Sequence, residues 1–372
     1  MKLNVLLISN IPAPYFVNYA NELGKYVDLT VLFELNNATD RESSWLANIQ
    51  DLNFNCVFLN SKRTSNETGF SFKVKGFLKD KTFDRIIIAN PTTPTGIYAL
   101  LYCKVKKIPH IIQSEGGFQG SGKGLKEKFK KFLMKDAKYY LTGMGGNDDY
   151  FLMYGGTKEK LMKYNFTSSY SKDIDDNLIS DDEKQELKKE LGIKLKPTIL
   201  FVGQFIYRKG IDVLLKAFKP FDNIANLILI GGNLNQEYSN IVSNLDLKNL
   251  TIIPFLNKDE LRKYYRASDI FVLPTREDTW GLVVNEAMEH GLPVISTFNC
   301  IAAKYLINDV DNGFVIESDN VDELVNKIKI LLNDANIRKI MAVNNLNKIK
   351  NITLEKMAFD IFKYINDENL NN

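Results

Sequence analysis

Histidine is scarce in this chain: His110 and His290 are the two among 372 residues. Their scarcity argues against any mechanism that needs a cluster of histidines. The cysteines, Cys56, Cys103 and Cys300, lie far apart and form no Cys-x-x-Cys pair. Such spacing predicts neither a disulfide framework nor a zinc site, and it favours a cytoplasmic location. The chemistry is therefore expected to come from carboxylates, basic groups and backbone amides.

Long hydrophobic runs are also missing. The apolar stretches at 86–89 and 198–202 are far shorter than the roughly 20 residues that cross a bilayer as a helix. The apolar start of the chain is followed at once by Pro12 and Pro14, and it lacks a small-residue cleavage site. We therefore predict a first buried strand there, rather than a signal peptide.

The net charge of +3 hides an uneven distribution. Residues 1–170 carry 23 Lys and Arg against 15 Asp and Glu, whereas residues 171–372 carry 25 against 30. The length of the chain also favours two domains over one. We expect two domains with different partners, of which the basic first domain meets an anionic surface.

Short apolar strands alternate with amphipathic helices along the whole chain, a pattern typical of parallel sheets covered on both faces. We predict an α/β protein with two doubly wound domains: 1–166, a linker at 167–182, 183–350, and a closing helix and tail at 351–372 that packs back on the first domain. The predicted strands are 5–9, 29–33, 57–59, 85–89, 111–113, 139–141, 198–202, 227–230, 251–253, 270–273, 294–296 and 314–316.

A glycine loop follows the strand at 198–202 and precedes a helical segment. It begins with Gly203 and Gln204 and continues to Arg208, Lys209 and Gly210. Backbone amides in such a loop approach phosphate oxygens closely, and the basic pair supplies charge. The alternative is an ordinary strand-to-helix turn with a solvated basic pair.

A second segment, 275–295, directly follows the strand at 270–273. Ligands of open parallel sheets bind beyond the carboxyl ends of the strands. The amides at the predicted helix start fit a diphosphate, and the carboxylates further along fit sugar hydroxyls. The alternative is an acidic capping box that only complements the helix dipole. The residues concerned are Glu277, Asp278, Gly281, Leu282, Val283 and Glu286.

Together these residues carry a resemblance. Asp278 and Glu286 lie eight positions apart and, with 281–283 and 286–295, resemble the Glu-x7-Glu region of retaining GT-B glycosyltransferases of family four. The loop 203–210 resembles the phosphate loop of that family. The segment 249–261 resembles its nucleobase-contacting segment, and 311–315 its later Asn-Gly-hydrophobic turn. The four ordered matches cover most of 198–330.

The resemblance implies two Rossmann-like domains facing a cleft, with a nucleotide-sugar donor in the second. Arg208 and Lys209 would contact the diphosphate, with Gly203, Gln204 and the amides of Gly281, Leu282 and Val283. Glu286 would bind the ribose, Phe255 and Leu256 would lie near the base, and Asp278 or the adjacent Glu277 near the transferred sugar. Gln204 replaces an arginine of the family, so Arg208 is expected to supply that charge.

In the first domain, Glu115 follows the strand at 111–113 and precedes a glycine pair. Members of the family often have a histidine at about this place. We therefore take Glu115 as a candidate for a catalytic group near the reacting carbon, where a carboxylate orients hydroxyls or assists proton removal. The alternative is that Glu115 only caps the next helix. His110 lies too early on the strand and is assigned a structural role.

A lysine-rich segment extends from Lys123 to Lys138 and carries an apolar stripe at helical spacing: Leu125, Phe129, Phe132 and Leu133. A basic amphipathic helix of this kind lies on anionic membranes. The alternative is a helix whose apolar side packs in the core while its lysines face water. We expect no nucleic-acid partner, because no recognised motif accompanies the lysines.

The expected function is therefore transfer of a hexose-type sugar, with retention, from a nucleotide-sugar to a glycan or lipid-linked acceptor in surface polysaccharide or glycolipid synthesis. We expect no cofactor and no metal, because fixed positive groups can stabilise the leaving diphosphate. If the basic helix lies on a membrane, we expect the protein to associate with the inner face of that membrane. Two alternatives remain open: a nucleotide-sugar epimerase, and a non-catalytic donor-binding subunit.

Overall fold

The computed structural model describes residues 2–39, 51–114, 124–144 and 148–367. The chain forms two compact units, one of Met1–Ser168 with Ile352–Asn372 and the other of Ser169–Asn351. Within the described ranges, no helix combines the length and the apolar character needed to cross a membrane.

The first unit is built on a parallel sheet that, among the described residues, has seven strands in the order β3-β2-β1-β6-β7-β8-β9. Its inner strands β1, β6, β7 and β8 are mostly buried, which explains their nearly continuous apolar sequences. A short antiparallel hairpin, β4 and β5, lies outside the sheet. The strands are β1 Asn4–Ser9, β2 Asp28–Phe33, β3 Asn55–Phe58, β4 Lys62–Arg63, β5 Gly69–Phe70, β6 Arg85–Ile88, β7 Ile111–Ser114, β8 Tyr139–Gly143 and β9 Leu161–Tyr164.

The helices of this unit include one from the far end of the chain. The last helix packs against the first, and the ring of Tyr26 stacks on that of Phe362 at 5.2 Å between centroids. The Arg85 Nε atom donates a hydrogen bond of 2.8 Å to the carbonyl of Ile365. The helices are α1 Pro14–Leu23, α2 Val74–Leu78, α3 Pro94–Lys106, α4 Leu125–Met134, α5 Asp148–Met153 and α14 Leu354–Ile365.

The second unit has a parallel sheet in the order β12-β11-β10-β13-β14-β15. The strands are β10 Thr198–Val202, β11 Asn226–Ile230, β12 Leu250–Ile253, β13 Ile270–Leu273, β14 Val294–Thr297 and β15 Gly313–Ile316. The helices are α6 Asp181–Glu190, α7 Ile211–Phe218, α8 Gln236–Leu245, α9 Lys258–Ala267, α10 Leu282–Glu289, α11 Ile301–Leu306, α12 Val321–Asn333 and α13 Ala335–Ile349. The strand order reverses between β10 and β13, and the crevice at such a switch point is the usual ligand site of this topology.

Three strands and the linker differ from the sequence prediction, and two of these strands form the hairpin of β4 and β5. The strand β9 was not predicted, yet it pairs with β8 along its whole length. The segment 167–182 was predicted as a linker, but from Ser169 onward it packs on the second unit. The amide of Asp175 donates to the carbonyl of Glu289 at 2.9 Å, and the carboxylate of Asp175 accepts from Nδ1 of His290 at 2.9 Å. Asp175 therefore serves as a hydrogen-bonding partner of the second unit.

Candidate functional site

Two loops meet at the switch point of the second unit, because β10 and β13 are neighbouring parallel strands. One loop follows β10 and the other follows β13. The carbonyl of Arg208 accepts hydrogen bonds from the amide of Arg276 and from Oγ1 of Thr275, each 2.8 Å long. The Arg208 side chain donates to the carbonyl of Glu277 at 3.2 Å. The sequence-predicted basic and acidic segments are thus joined into one structure.

Lys209 and Asp278 form an ion pair across these two loops. Their side chains are 12% and 10% exposed, so the pair is largely shielded from water. Electrostatic interactions are much less screened in such a place than on an open surface. The interpretation of Arg208 and Lys209 as a merely solvated basic pair therefore fails for Lys209. Glu277, in contrast, is exposed, which distinguishes it from the buried Asp278.

Gly281 begins the helix α10 with a φ of 98°, a conformation that glycine adopts without strain. A Cβ atom there would lie 2.6 Å from Sγ of Cys300. No side chain caps α10. The amides of Leu282 and Val283 in the first turn thus have no side-chain cap and are available to an anion. The alternative of an acidic capping box is wrong.

The other loop places Gly203 directly after β10, where its amide donates to the carbonyl of Ile230 at 2.9 Å. The partly buried Gln204 follows it. Gly210 ends the loop with a φ of 70°, and a Cβ atom there would lie 2.0 Å from the carbonyl oxygen of Pro274. The close approach of the two loops therefore requires glycine at this position.

Arg276 was not among the predicted site residues, yet it fixes the loop 203–210 that follows β10. Its guanidinium donates two hydrogen bonds to the Asp212 carboxylate, at 2.9 and 2.8 Å, and one to the carbonyl of Tyr207 at 2.7 Å. The bonds to Asp212, together with the bond to Asp319, raise the pKa of Arg276 further above the ordinary arginine value, while Arg276 holds the pKa of Asp212 below its usual range. The signal in the sequence was weak, because Arg276 and Asp212 are 64 positions apart.

Glu286 lies on α10 and accepts a hydrogen bond of 2.9 Å from the hydroxyl of Tyr265 on α9. Burial raises the pKa of Glu286, and the tyrosine bond opposes that effect. The side chain is only partly exposed. A partly buried carboxylate is stabilised by additional hydroxyl donors, because each donor replaces a hydrogen bond to water that burial has removed.

Glu289 is the next carboxylate on α10, and it is almost fully buried. The Ser169 hydroxyl donates to it. Burial raises the pKa of Glu289 to about 8, although the nearby Lys258 opposes the shift. The proton therefore binds more tightly to the folded protein than to the unfolded chain, where the value is near 4.5. The contribution of this tighter proton binding to the free energy of unfolding is complete below about pH 4.5 and is lost as the pH rises through about 8.

We expect the stability of the Glu289→Gln variant to depend less on pH than that of the wild type, because the amide resembles the protonated acid. Thermal unfolding midpoints measured from roughly pH 5 to 9 test this. The unfolding midpoint of the variant should increase relative to that of the wild type as the pH increases. Glu34, whose pKa burial raises to about 7, titrates in both proteins and cancels in the difference. Parallel curves for the two proteins would show that Glu289 does not titrate in this range.

The remaining predicted residues lie elsewhere. Phe255 and Leu256 follow β12, two strands away from β10, and the ring of Phe255 is 41% exposed. Glu115, the candidate catalytic group, lies outside the described residues, as does Lys123. Among the described residues no group of three or more His, Cys, Asp or Glu side chains is arranged to hold a metal ion.

Residues 183–348 match the sequence profile of the family described as Glycosyl transferases group 1. The resemblance that the motifs predicted is therefore confirmed for this part of the chain. The matched segment contains both loops of the switch point and the helix α10.

Individual proteins show the same likeness. An uncharacterized glycosyltransferase of Methanocaldococcus jannaschii is 32% identical over 165 residues, which are 44% of this chain and 46% of that protein. Two further relatives are aligned over 40% and 50% of their lengths, so the chain spans about half the length of these curated relatives. The N,N'-diacetylbacillosaminyl-diphospho-undecaprenol alpha-1,3-N-acetylgalactosaminyltransferase of Campylobacter jejuni is 21% identical over 301 residues, covering 78% of this chain and 76% of that protein.

Among solved structures, Anabaena HepE in complex with UDP-glucose superimposes with a TM-score of 0.72 and 15% identity. The superposition covers 98% of both chains. The likeness to this structure and to other solved glycosyltransferases shows the fold, which consists of two Rossmann-like domains of the GT-B type. The predicted α/β fold class is confirmed.

Proposed function

We propose that this protein is a retaining glycosyltransferase that moves a hexose-type sugar from a nucleotide-sugar to a glycan or lipid-linked acceptor. The observation that carries the proposal is the shielded pair of Lys209 and Asp278 beside the uncapped start of α10. It brings together a cation for phosphate, free amides and a carboxylate for sugar hydroxyls at the switch point of a group 1 glycosyltransferase domain.

The leaving diphosphate is the part of the donor that these groups fit best. Breaking the glycosidic bond develops positive charge on the sugar and negative charge on the diphosphate. Lys209, Arg208 and the amides of 281–283 would stabilise that negative charge. Lys209 is paired with Asp278, so the diphosphate would compete with this carboxylate for the lysine. The chain's likeness to a protein solved with UDP-glucose supports a donor of this class.

The remaining donor contacts follow from the placement of the other residues. Glu286 would accept hydrogen bonds from the ribose hydroxyls, and Asp278 would hold the transferred sugar. Gly203 and Gln204 would border the phosphates, while Phe255 and Leu256 would border the base. Glu277 is assigned no sugar contact, because its side chain is exposed and its carbonyl is bound by Arg208.

The acceptor is proposed to bind the first unit. The loop after β1 and the loop after β6 lie at the switch point of its sheet, and the Asn90 side chain accepts hydrogen bonds from the Ser9 hydroxyl and the Asn10 amide at 3.0 and 3.1 Å. The Campylobacter relative is named for transfer to a sugar on diphospho-undecaprenol. We infer a lipid-linked acceptor of surface polysaccharide synthesis, reached from the cytoplasmic face of the membrane.

Two parts of this proposal depend on the family resemblance. Retention of anomeric configuration is one, and the role of Glu115 near the reacting carbon is the other. A metal-independent reaction is proposed because Lys209 and Arg208 supply fixed positive charge. Addition of a chelator should therefore leave the initial rate unchanged.

The test is turnover of a panel of nucleotide-sugars with and without lipid-linked and glycan acceptors. We expect nucleoside diphosphate release that depends on the acceptor, and a product whose mass has increased by one sugar. Conversion of the donor to an isomer without acceptor would identify an epimerase. Donor binding without any turnover would identify a non-catalytic subunit. Proton NMR of the new linkage reports whether the configuration is retained.

A further inference from the structure

The outer face of α4 carries apolar side chains that the protein does not bury. Leu125 is 86% exposed, Phe129 47% and Phe132 44%. The apolar residues of the last turn, Leu133 and Met134, are buried. The core-packed alternative for this helix is therefore wrong for three of the four stripe residues. A contiguous exposed apolar surface of this kind marks an interaction site.

Lysines surround these apolar residues. Those on or directly after the helix that are exposed are Lys126, Lys128, Lys131 and Lys135. The acidic residues of the same segment are engaged within the unit: Glu127 accepts from the Tyr154 hydroxyl, and Asp136 pairs with Lys104. The positive charge of the surface is thus not balanced by free carboxylates of this helix.

The surface continues onto α3, which packs beside α4. The Lys104 ammonium lies 4.1 Å from the centre of the Phe132 ring and joins the two helices. Val105, 74% exposed, shares a helical face with Tyr98 and Tyr102. Phe72, 67% exposed, packs edge-on against Tyr98 at 5.3 Å between ring centres. Aromatic and aliphatic side chains therefore extend over both helices.

We infer that the α3–α4 surface, defined by Phe72, Tyr98, Val105, Leu125, Phe129 and Phe132 with the lysines around them, docks on an anionic phospholipid bilayer. Phenylalanine and leucine enter the boundary between head groups and acyl chains, tyrosine settles at head-group level, and lysine attracts anionic lipid. Leu125 favours this occupant over a nucleic acid, because an exposed aliphatic side chain has no role in stacking on bases.

This inference deepens the proposed function, since it rests on the lipid-linked acceptor for its purpose. It concerns binding alone, however, and does not require donor, acceptor or turnover. The full-length protein can therefore be tested on vesicles without either substrate. Failure to transfer sugar and failure to bind lipid are separate results.

The experiment is co-sedimentation with vesicles of phosphatidylcholine alone or mixed with phosphatidylglycerol. We expect binding to the anionic vesicles that is at least tenfold stronger than to neutral ones. The Leu125→Ser/Phe129→Ser variant should lose most of it, and so should the Lys126→Ala/Lys128→Ala/Lys131→Ala variant. Salt near 1 M, where the Debye length is about 3 Å, should weaken the lysine contribution.

Matched controls come from exposed residues of the second unit. Ile330→Ser/Ile340→Ser removes two exposed apolar side chains, 40% and 60% exposed, and Lys189→Ala/Lys329→Ala/Lys339→Ala removes three exposed charges. Both controls should bind anionic vesicles like the wild type. Equal losses in control and test variants would overturn the assignment, as would equal binding to both vesicle types. Displacement from vesicles by a single-stranded oligonucleotide at similar concentration would assign the surface to nucleic acid instead. Circular dichroism verifies that every variant is folded.

Discussion

The Lys209→Met variant is expected to fold normally and to lose sugar transfer by about 10²- to 10³-fold, the usual effect of removing one group that stabilises a developing oxyanion. Methionine keeps most of the length and the apolar contacts of lysine while removing its charge. The loss should appear mainly in kcat, because the charge on the diphosphate grows as the bond breaks. Initial rates at saturating donor measure it.

Two further variants separate catalysis from structure. Lys216→Met removes an exposed lysine of the neighbouring helix α7 and should leave the rate unchanged. Lys209→Met combined with Asp278→Asn removes the whole ion pair, so no carboxylate is left unpaired in a shielded place. We expect this double variant to be no more active than Lys209→Met. Recovery of activity in the double variant would mean that Lys209 only neutralises Asp278.

The Glu286→Gln variant is expected to weaken kcat/KM for the donor by about 10²-fold, since it weakens two hydrogen bonds to a charged acceptor. The amide keeps the size of the side chain and can still accept from Tyr265. The clearest measurement is binding of a nucleotide and of its 2′,3′-dideoxy analogue by calorimetry. The wild type should prefer the ribonucleotide strongly, and the variant should lose that preference.

Glu289→Gln is the matched control, because Glu289 lies on the same helix and is bonded to Ser169 rather than directed to the donor. This control should keep the preference for ribose hydroxyls while changing the pH dependence of stability. If Glu286→Gln binds both nucleotides as the wild type does, the ribose is held by another group. Loss of the preference in both variants would point to a disturbance of α10 as a whole.

Much of the fold was readable from the sequence, because buried parallel strands are nearly continuous apolar runs. The run at 198–202 coincides with β10, and that at 270–273 with β13. The strand β9 was missed because its pattern, Leu161-Met162-Lys163-Tyr164, is short and interrupted by a lysine. Its pairing with β8 is a tertiary interaction that outweighs this weak local signal.

The candidate site was readable only in part. The glycines of both loops could be recognised in the sequence. The structure gives the physical reason for them, because Gly210 and Gly281 adopt positive φ and are closely approached by Pro274 and Cys300. The support from Arg276 was not foreseen. Its partner Asp212 is on a different element, and nothing local in either segment indicates the bidentate contact.

The sequence by itself indicated the family that the second unit resembles, the positions of most strands and the residue types available for the proposed donor site, because these depend on local periodicity and ordered motifs. Tertiary structure alone decided that Lys209 pairs with Asp278, that Asp278 rather than Glu277 is shielded, and that α4 leaves its apolar face exposed. The pairing and the shielding depend on which strands become neighbours in the sheet. The exposed face of α4 depends on which side of an amphipathic helix finds a packing partner, and neither choice is encoded within one segment of the chain.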